Sequence, residues 1–255
     1  MAGGRLPITC AGEGPPVILL HGWTLDHRMW APQVEGLADR HLLVMPDRRG
    51  HGRATAPPDL AREAEDVIAI ADALGLERFA LVGLSQGALV ALDAARRLGE
   101  RVTALIVAGA PLPALVPRDE VIDLEALRAL AACGDVAGLR AAWGRHPLMQ
   151  TRSPEAAALA AEMLGHYDGR DLLAPSEAPG LPREALAGLA MPVLALAGEH
   201  DTPWRRECAR ALGALAPRGA HAEVPGAGHL ANLDNPQAFN RIIRDVLPGS
   251  APSPR

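Results

Sequence analysis

The sequence predicts an α/β fold, a mostly parallel, doubly wound sheet interrupted by a helical insertion. Three observations carry that prediction. Apolar runs of four or five residues, rich in Val, Leu and Ile, recur with little polar alternation, as strands covered on both faces do. Longer stretches of helical pattern lie between them, and strand–helix alternation is the signature of a parallel sheet. Between residues 112 and 189 the apolar runs stop, and only short helical patterns with Gly/Pro breaks remain.

The N-terminal stretch leaves room for one strand before the first apolar run, Val17–Leu20. Further strands are expected at Leu42–Met45, Phe79–Val82, Leu105–Ala108, Val193–Ala197 and Ala220–Val224. Helices are expected at Asp59–Leu74, Gln86–Leu98, Pro203–Leu215 and Pro236–Val246. Pro203 and Pro236 suit a first helical turn, and Asp234 or Asn235 can cap the last helix. Within the insertion, helices are expected at Asp119–Cys133, Val136–Trp143, Pro154–His166 and Pro182–Leu189. The expected organisation is a core of residues 1–111 and 190–247, a helical lid at 112–189, and a disordered tail at 248–255. A second independent domain is the alternative to the lid.

Composition narrows the function. The 255 residues allow one large domain or two small ones, with hydrophobic residues at 49% and charged residues at 22%, as in soluble globular proteins. A net charge of −5 argues against a general nucleic-acid binder, and two Phe and one Tyr are too few for a base-stacking platform. Every basic residue is arginine. Three cysteines are too few for a disulfide scaffold. No window approaches the ~20 apolar residues of a membrane span, and the start of the chain has no signal-like apolar core. The expected setting is cytoplasmic, with no membrane and no nucleic-acid partner.

The chemistry is concentrated at Gly83-Leu84-Ser85-Gln86-Gly87, between a strand and a helix. This G-x-S-x-G context makes a sharp turn that exposes Ser85 as a nucleophile. Strand and helix come so close there that Gly83 and Gly87 must be small. The Gln86 N–H lies at a helix N-terminus, where negative charge is favoured. Such a serine needs a base, and the base an orienting carboxylate. Asp201, after the strand Val193–Ala197, is the expected acid, with Glu199 as the fallback. His229, on the Gly-rich loop after the last strand, is the expected base. The second oxyanion donor is the Trp23 N–H, after Val17–Leu20, and His21 shapes that loop.

These segments resemble the α/β-hydrolase fold with a helical cap: His21-Gly22-Trp23, the turn Asp47–Gly52, the GLSQG elbow, Gly198–Asp201, and Gly226–His229 leading into LANLDNPQAFN. Within that superfamily the chain looks most like the 3-oxoadipate enol-lactonase group and related small carboxylesterases. Haloalkane dehalogenases and soluble epoxide hydrolases carry Asp at the elbow, which Ser85 makes inapplicable. The resemblance implies a Ser85–His229–Asp201 triad and no cofactor; no cluster in the sequence has metal-ligand spacing, so no metal is expected.

The expected activity is hydrolysis of a carboxylic ester or lactone of a small acyl substrate. Alternatives on the same triad are C–C bond, amide or thioester hydrolysis and peracid formation; a cyclase or a pure ligand binder is a third class. The lid residues Trp143, His146, Met149, Met163, His166 and Tyr167 are candidates for the pocket wall. Arg145, Arg152 and Arg170 are candidates for pairing a substrate carboxylate.

Overall fold

A computed structural model describes residues 4–174 and 177–249. Their strands are β1 (Ile8–Ala11), β2 (Pro16–Leu20), β3 (Leu42–Pro46), β4 (Phe79–Leu84), β5 (Val102–Ala108), β6 (Val193–Gly198) and β7 (Gly219–Val224), in sheet order β1-β3-β2-β4-β5-β6-β7. β1 pairs antiparallel with β3; the other pairings among the described residues are parallel. The chain winds from β2 out to β3, then returns to β4 on the other side of β2. The winding direction therefore reverses between β2 and β4, where α/β sheets open a crevice beyond the strand carboxyl ends.

The helices are α1 (Ala31–Leu37), α2 (Glu63–Ala73), α3 (Gln86–Leu98), α4 (Leu124–Ala132), α5 (Val136–Gly144), α6 (Pro154–His166), α7 (Arg183–Ala187), α8 (Pro203–Leu215), α9 (Ala231–Asp234) and α10 (Pro236–Arg244). The pleat sends alternate strand residues to opposite faces. Val17, Leu19, Val82 and Ile106 pack with Trp30, Leu37 and Phe239 of the α1/α10 side, whereas Ile18, Leu20, Leu81 and Val107 pack with Val67, Val90 and Leu212 of α2, α3 and α8. Both faces are covered, which is why the strands read as unbroken apolar runs.

Several element limits differ from the sequence reading. The helix expected from Asp59 begins with a 3-10 turn at Leu60–Arg62, and Asp59 itself is extended. The helix expected from Asp119 begins at Leu124, where Asp123 caps it through the Ala126 N–H. The freed stretch before it runs to α8 instead. Asn235, not Asp234, caps α10. The short α1 and α9 gave no periodic signal. Pro248, within the tail expected to be disordered, is held to the fold, its carbonyl accepting a bond from His41 Nε2; residues 250–255 lie outside the described residues.

No strand interrupts the described residues between Ala108 and Val193. Leu127, Leu139, Trp143 and Met163 from this stretch belong to the same apolar cluster as Val17 and Val82 of the sheet. The insertion thus shares its core with one sheet face.

Candidate active site

Ser85 sits between β4 and α3 at φ 56°, ψ −117°, one of two non-glycine residues at positive φ among those described. For a residue with a Cβ this is strained backbone. It is over-determined by its surroundings. The Ser85 N–H bonds the Ala108 carbonyl of β5 at 2.8 Å. A Cβ on Gly83 would collide with the Gly87 carbonyl, and one on Gly87 with the Leu20 and His21 carbonyls. The elbow glycines are required by close approach of backbone to backbone.

Gly22 and Trp23 follow β2, the strand beside β4. Among the described residues, neither the Trp23 nor the Gln86 backbone N–H is taken by an acceptor. His21 is buried; its Nδ1 donates to the Gly22 carbonyl (2.8 Å) and its Nε2 accepts the Arg48 N–H (2.9 Å). Burial, with Arg48 and His51 nearby, holds its titration well below the ordinary imidazole range. A neutral ring with both nitrogens engaged shapes this loop.

The acid and base meet across two loops. His229 Nδ1 lies 2.9 and 3.1 Å from the Asp201 carboxylate oxygens, both side chains being buried. The Thr202 N–H donates to Asp201 Oδ1 at 2.7 Å. Gly198 brings the loops together, since a Cβ there would strike the Gly228 and Ala227 carbonyls. Glu199 points elsewhere: its carboxylate accepts the Gly226 N–H. His229 Nε2 is buried and, among the described residues, has no hydrogen-bond partner.

Ser85, Gln86, Trp23 and His229 line one cavity of about 290 Å³. Trp143, Leu148, Met149 and Leu172 of the insertion form part of its wall. The other sequence candidates lie apart from it. Met163, His166 and Tyr167 line a separate small cleft, and His146 stacks on the Trp143 ring at 4.7 Å. None of Arg145, Arg152 and Arg170 lines the cavity; Arg118 and Arg128 do. Arg170 is spent on Asp168 and the Ala54 carbonyl.

Sequence reasoning missed several polar residues here. Asp171 accepts the Trp23 Nε1–H at 2.6 Å and the Tyr167 hydroxyl at 2.7 Å. Burial pushes its carboxyl above the usual range, against the pull of those two bonds. Arg48, inside the turn read as structural, bonds Glu63 (2.6 Å) and the Gln86 side-chain carbonyl (2.8 Å). Burial pushes Glu63 up to about 7 despite that guanidinium. Gly109, Glu120 and Arg205 stand beside the His–Asp pair. A glycine just past a strand was a signal that could have been read; an arginine in an arginine-rich helix was not.

Asp26, His27 and Asp47 bring three possible ligand atoms within 4.8 Å. Their carboxylates are already engaged, Asp26 by Arg28 and Asp47 by His27 and Arg53. This is an ion-paired node of the turn, with its donors in place.

Residues 17–242 match the alpha/beta hydrolase family. The chain is 30% identical over 256 residues to "Putative carbamate hydrolase RutD" of Klebsiella pneumoniae, covering 94% of each. It is 30% identical over 244 residues to the pimeloyl-[acyl-carrier protein] methyl ester esterase of Xanthomonas campestris, covering 87% of this chain and 90% of that one. Among solved structures, the enol-lactonase of Burkholderia xenovorans superposes with a TM-score of 0.81 at 25% identity, over 96% of this chain and 97% of that one. The chain belongs to the alpha/beta hydrolase family of enzymes, near its small esterases and lactonases.

Proposed function

We propose that the protein hydrolyses carboxylic esters or lactones through a Ser85–His229–Asp201 triad and an acyl-enzyme. The observation that carries this reading is the 2.9 Å His229–Asp201 contact beside a strained elbow serine in one cavity. His229 Nε2 takes the Ser85 proton as the oxygen attacks the carbonyl carbon. Asp201 holds the imidazole in the tautomer with Nδ1–H and stabilises the imidazolium. The N–H groups of Trp23 and Gln86 receive the oxyanion, each worth roughly 3–4 kcal/mol to the transition state. The tetrahedral intermediate collapses, the C–O bond breaks, and His229 returns the proton to the leaving alkoxide. Water then repeats the sequence on the acyl-enzyme.

The insertion acts as a lid that selects the acyl group. Trp143, Leu148 and Met149 give the cavity an apolar wall suited to a small or medium partly hydrophobic chain. The test is a panel of p-nitrophenyl esters, lactones and aryl carbamates of graded size, run beside fluorophosphonate labelling. Ester or lactone turnover that disappears in Ser85→Ala, with labelling lost in the same variant, is expected. Turnover within tenfold of the parent in Ser85→Ala overturns the triad, and turnover of carbamates alone overturns the ester reading. Ser85→Ala should unfold at nearly the same temperature, because alanine keeps the Cβ and therefore the same backbone strain, and only a hydroxyl facing the cavity is lost.

A further inference from the structure

Resting on that triad, we propose that the buried Glu120–Arg205 ion pair is a positioning device for His229 and Asp201, tying the start of the insertion to the acid–base half of the site. The two side chains are only 5% and 3% exposed. A buried ion pair is a poor source of stability, because desolvation of the charges offsets most of their attraction. Its placement therefore asks for another reason.

Three contacts supply one. Arg205, on the first turn of α8, forks onto Glu120 through Nε and Nη2 at 2.6–3.1 Å. Its Nη1 donates to the Gly109 carbonyl at 2.7 Å. Gly109, at φ 58°, is where β5 ends and the insertion begins, and its N–H bonds the Leu196 carbonyl of β6. A Cβ on Gly109 would stand 2.6 Å from His229 Cε1, 2.8 Å from Nδ1 and 3.2 Å from Asp201 Oδ2. The Gly109 backbone is thus the back wall of the His–Asp pair, and Arg205 holds that wall by its carbonyl. Glu120 completes the tie by accepting the Thr202 hydroxyl at 2.9 Å. Thr202 in turn donates its N–H to Asp201 Oδ1. The pair touches neither Ser85 nor His229 by hydrogen bond, so both members are positioning residues.

The pair also sets the charge around the imidazole. The charged groups facing this region are Asp201 after β6, Arg205 on α8, Glu120 and Arg118 between β5 and α4, and Asp234 on α9, which accepts the Gly228 N–H. Arg205 and Glu120 cancel each other. Removing Glu120 leaves Arg205 without its carboxylate, and removing Arg205 leaves Glu120 only the more distant Arg118, at 4.0 Å, so the two removals have opposite signs. An unpaired Arg205 disfavours the imidazolium; an unpaired Glu120 favours it.

The experiment measures kcat, KM and the pH profile of kcat/KM on a short p-nitrophenyl ester for Glu120→Gln, Arg205→Met, Thr202→Val and the double variant Glu120→Gln/Arg205→Met. Expected is a kcat loss of about tenfold or more with KM nearly unchanged, as for an interaction needed in the transition state. The acid limb should move by about 0.5–1 pH unit to lower pH in Glu120→Gln and to higher pH in Arg205→Met, and return in the double variant. Thr202→Val, which removes no charge, should lose kcat with the limb unmoved. Should Arg205→Met fail to fold, the near-isosteric Glu120→Gln and Thr202→Val carry the test. Unchanged kcat and an unmoved limb in those two overturn the proposal, as does a limb moving the same way in both charge variants. A parent with no ester turnover and no fluorophosphonate labelling would instead fail the triad itself, which keeps the two failures apart.

Discussion

The indole N–H of Trp23 donates to the Asp171 carboxylate at 2.6 Å, joining the loop after β2 to the helical insertion. Tyr167 holds the other carboxylate oxygen at 2.7 Å. One side of the proposed oxyanion hole is thereby anchored from the insertion, just as the His–Asp pair is backed by the segment that opens it.

Trp23→Phe keeps an aromatic ring, though a smaller one, and deletes the donor. A buried acceptor left short of a partner costs about 1–3 kcal/mol. The midpoint of thermal unfolding should fall by about 3–8 °C, given the slope for a chain of this size. The loop should also loosen, lowering kcat on every ester. An unchanged unfolding midpoint and an unchanged kcat would show that the bond does not anchor the loop.

Gly109→Ala tests the wall behind His229. The new methyl would need the room the imidazole occupies, at a backbone φ that L-residues avoid at a cost of about 1–2 kcal/mol. Expected is a modest loss of stability and a large loss of kcat, on the order of 10²-fold for a displaced catalytic group. Steady-state kinetics beside a thermal melt separate the two effects.

Asp201→Asn and Glu199→Gln should differ sharply. The first puts an amide NH2 where a carboxylate oxygen meets His229 Nδ1 and should cost on the order of 10⁴ in kcat through the wrong tautomer. The second weakens a tie to the exposed Gly226 N–H and should cost little. Reversed results would make Glu199 the acid.

Glu63 predicts a pH dependence of stability. Its folded carboxyl is pushed up to about 7, mainly by burial, against an ordinary value of 4.5. Between those values the folded state holds a proton that the unfolded state has released, so this group's contribution to stability falls as pH rises through the window. Glu63→Gln carries no such proton. The stability of the parent relative to this variant should therefore decline from pH 4.5 to 7, by up to about 3 kcal/mol. Urea unfolding of both proteins at pH 4.5, 6 and 7.5 measures it; a difference constant with pH would contradict the prediction.

The sequence by itself determined the sheet, the elbow and the pairing of a family with a chemistry. Those features are local or periodic. Buried parallel strands announce themselves as apolar runs, and Gly83 is demanded by a turn whose two arms are neighbours in the chain, whereas Gly87 must be small because the end of β2 passes against it. Asp201 and His229 were legible because each lies on a loop within a few residues of a strand end, and a parallel sheet brings such ends to one edge. What lines the cavity was decided only by tertiary structure. Trp143 and Met149 line it while Met163 and Tyr167 line a separate cleft, a difference set by how the insertion packs on the sheet and not by the residue pattern. Glu120, Asp171 and Arg205 were equally hidden. Each gains its role from a partner 85 to 148 positions away, and a charge in a polar stretch looks the same whether it meets water or a buried carbonyl.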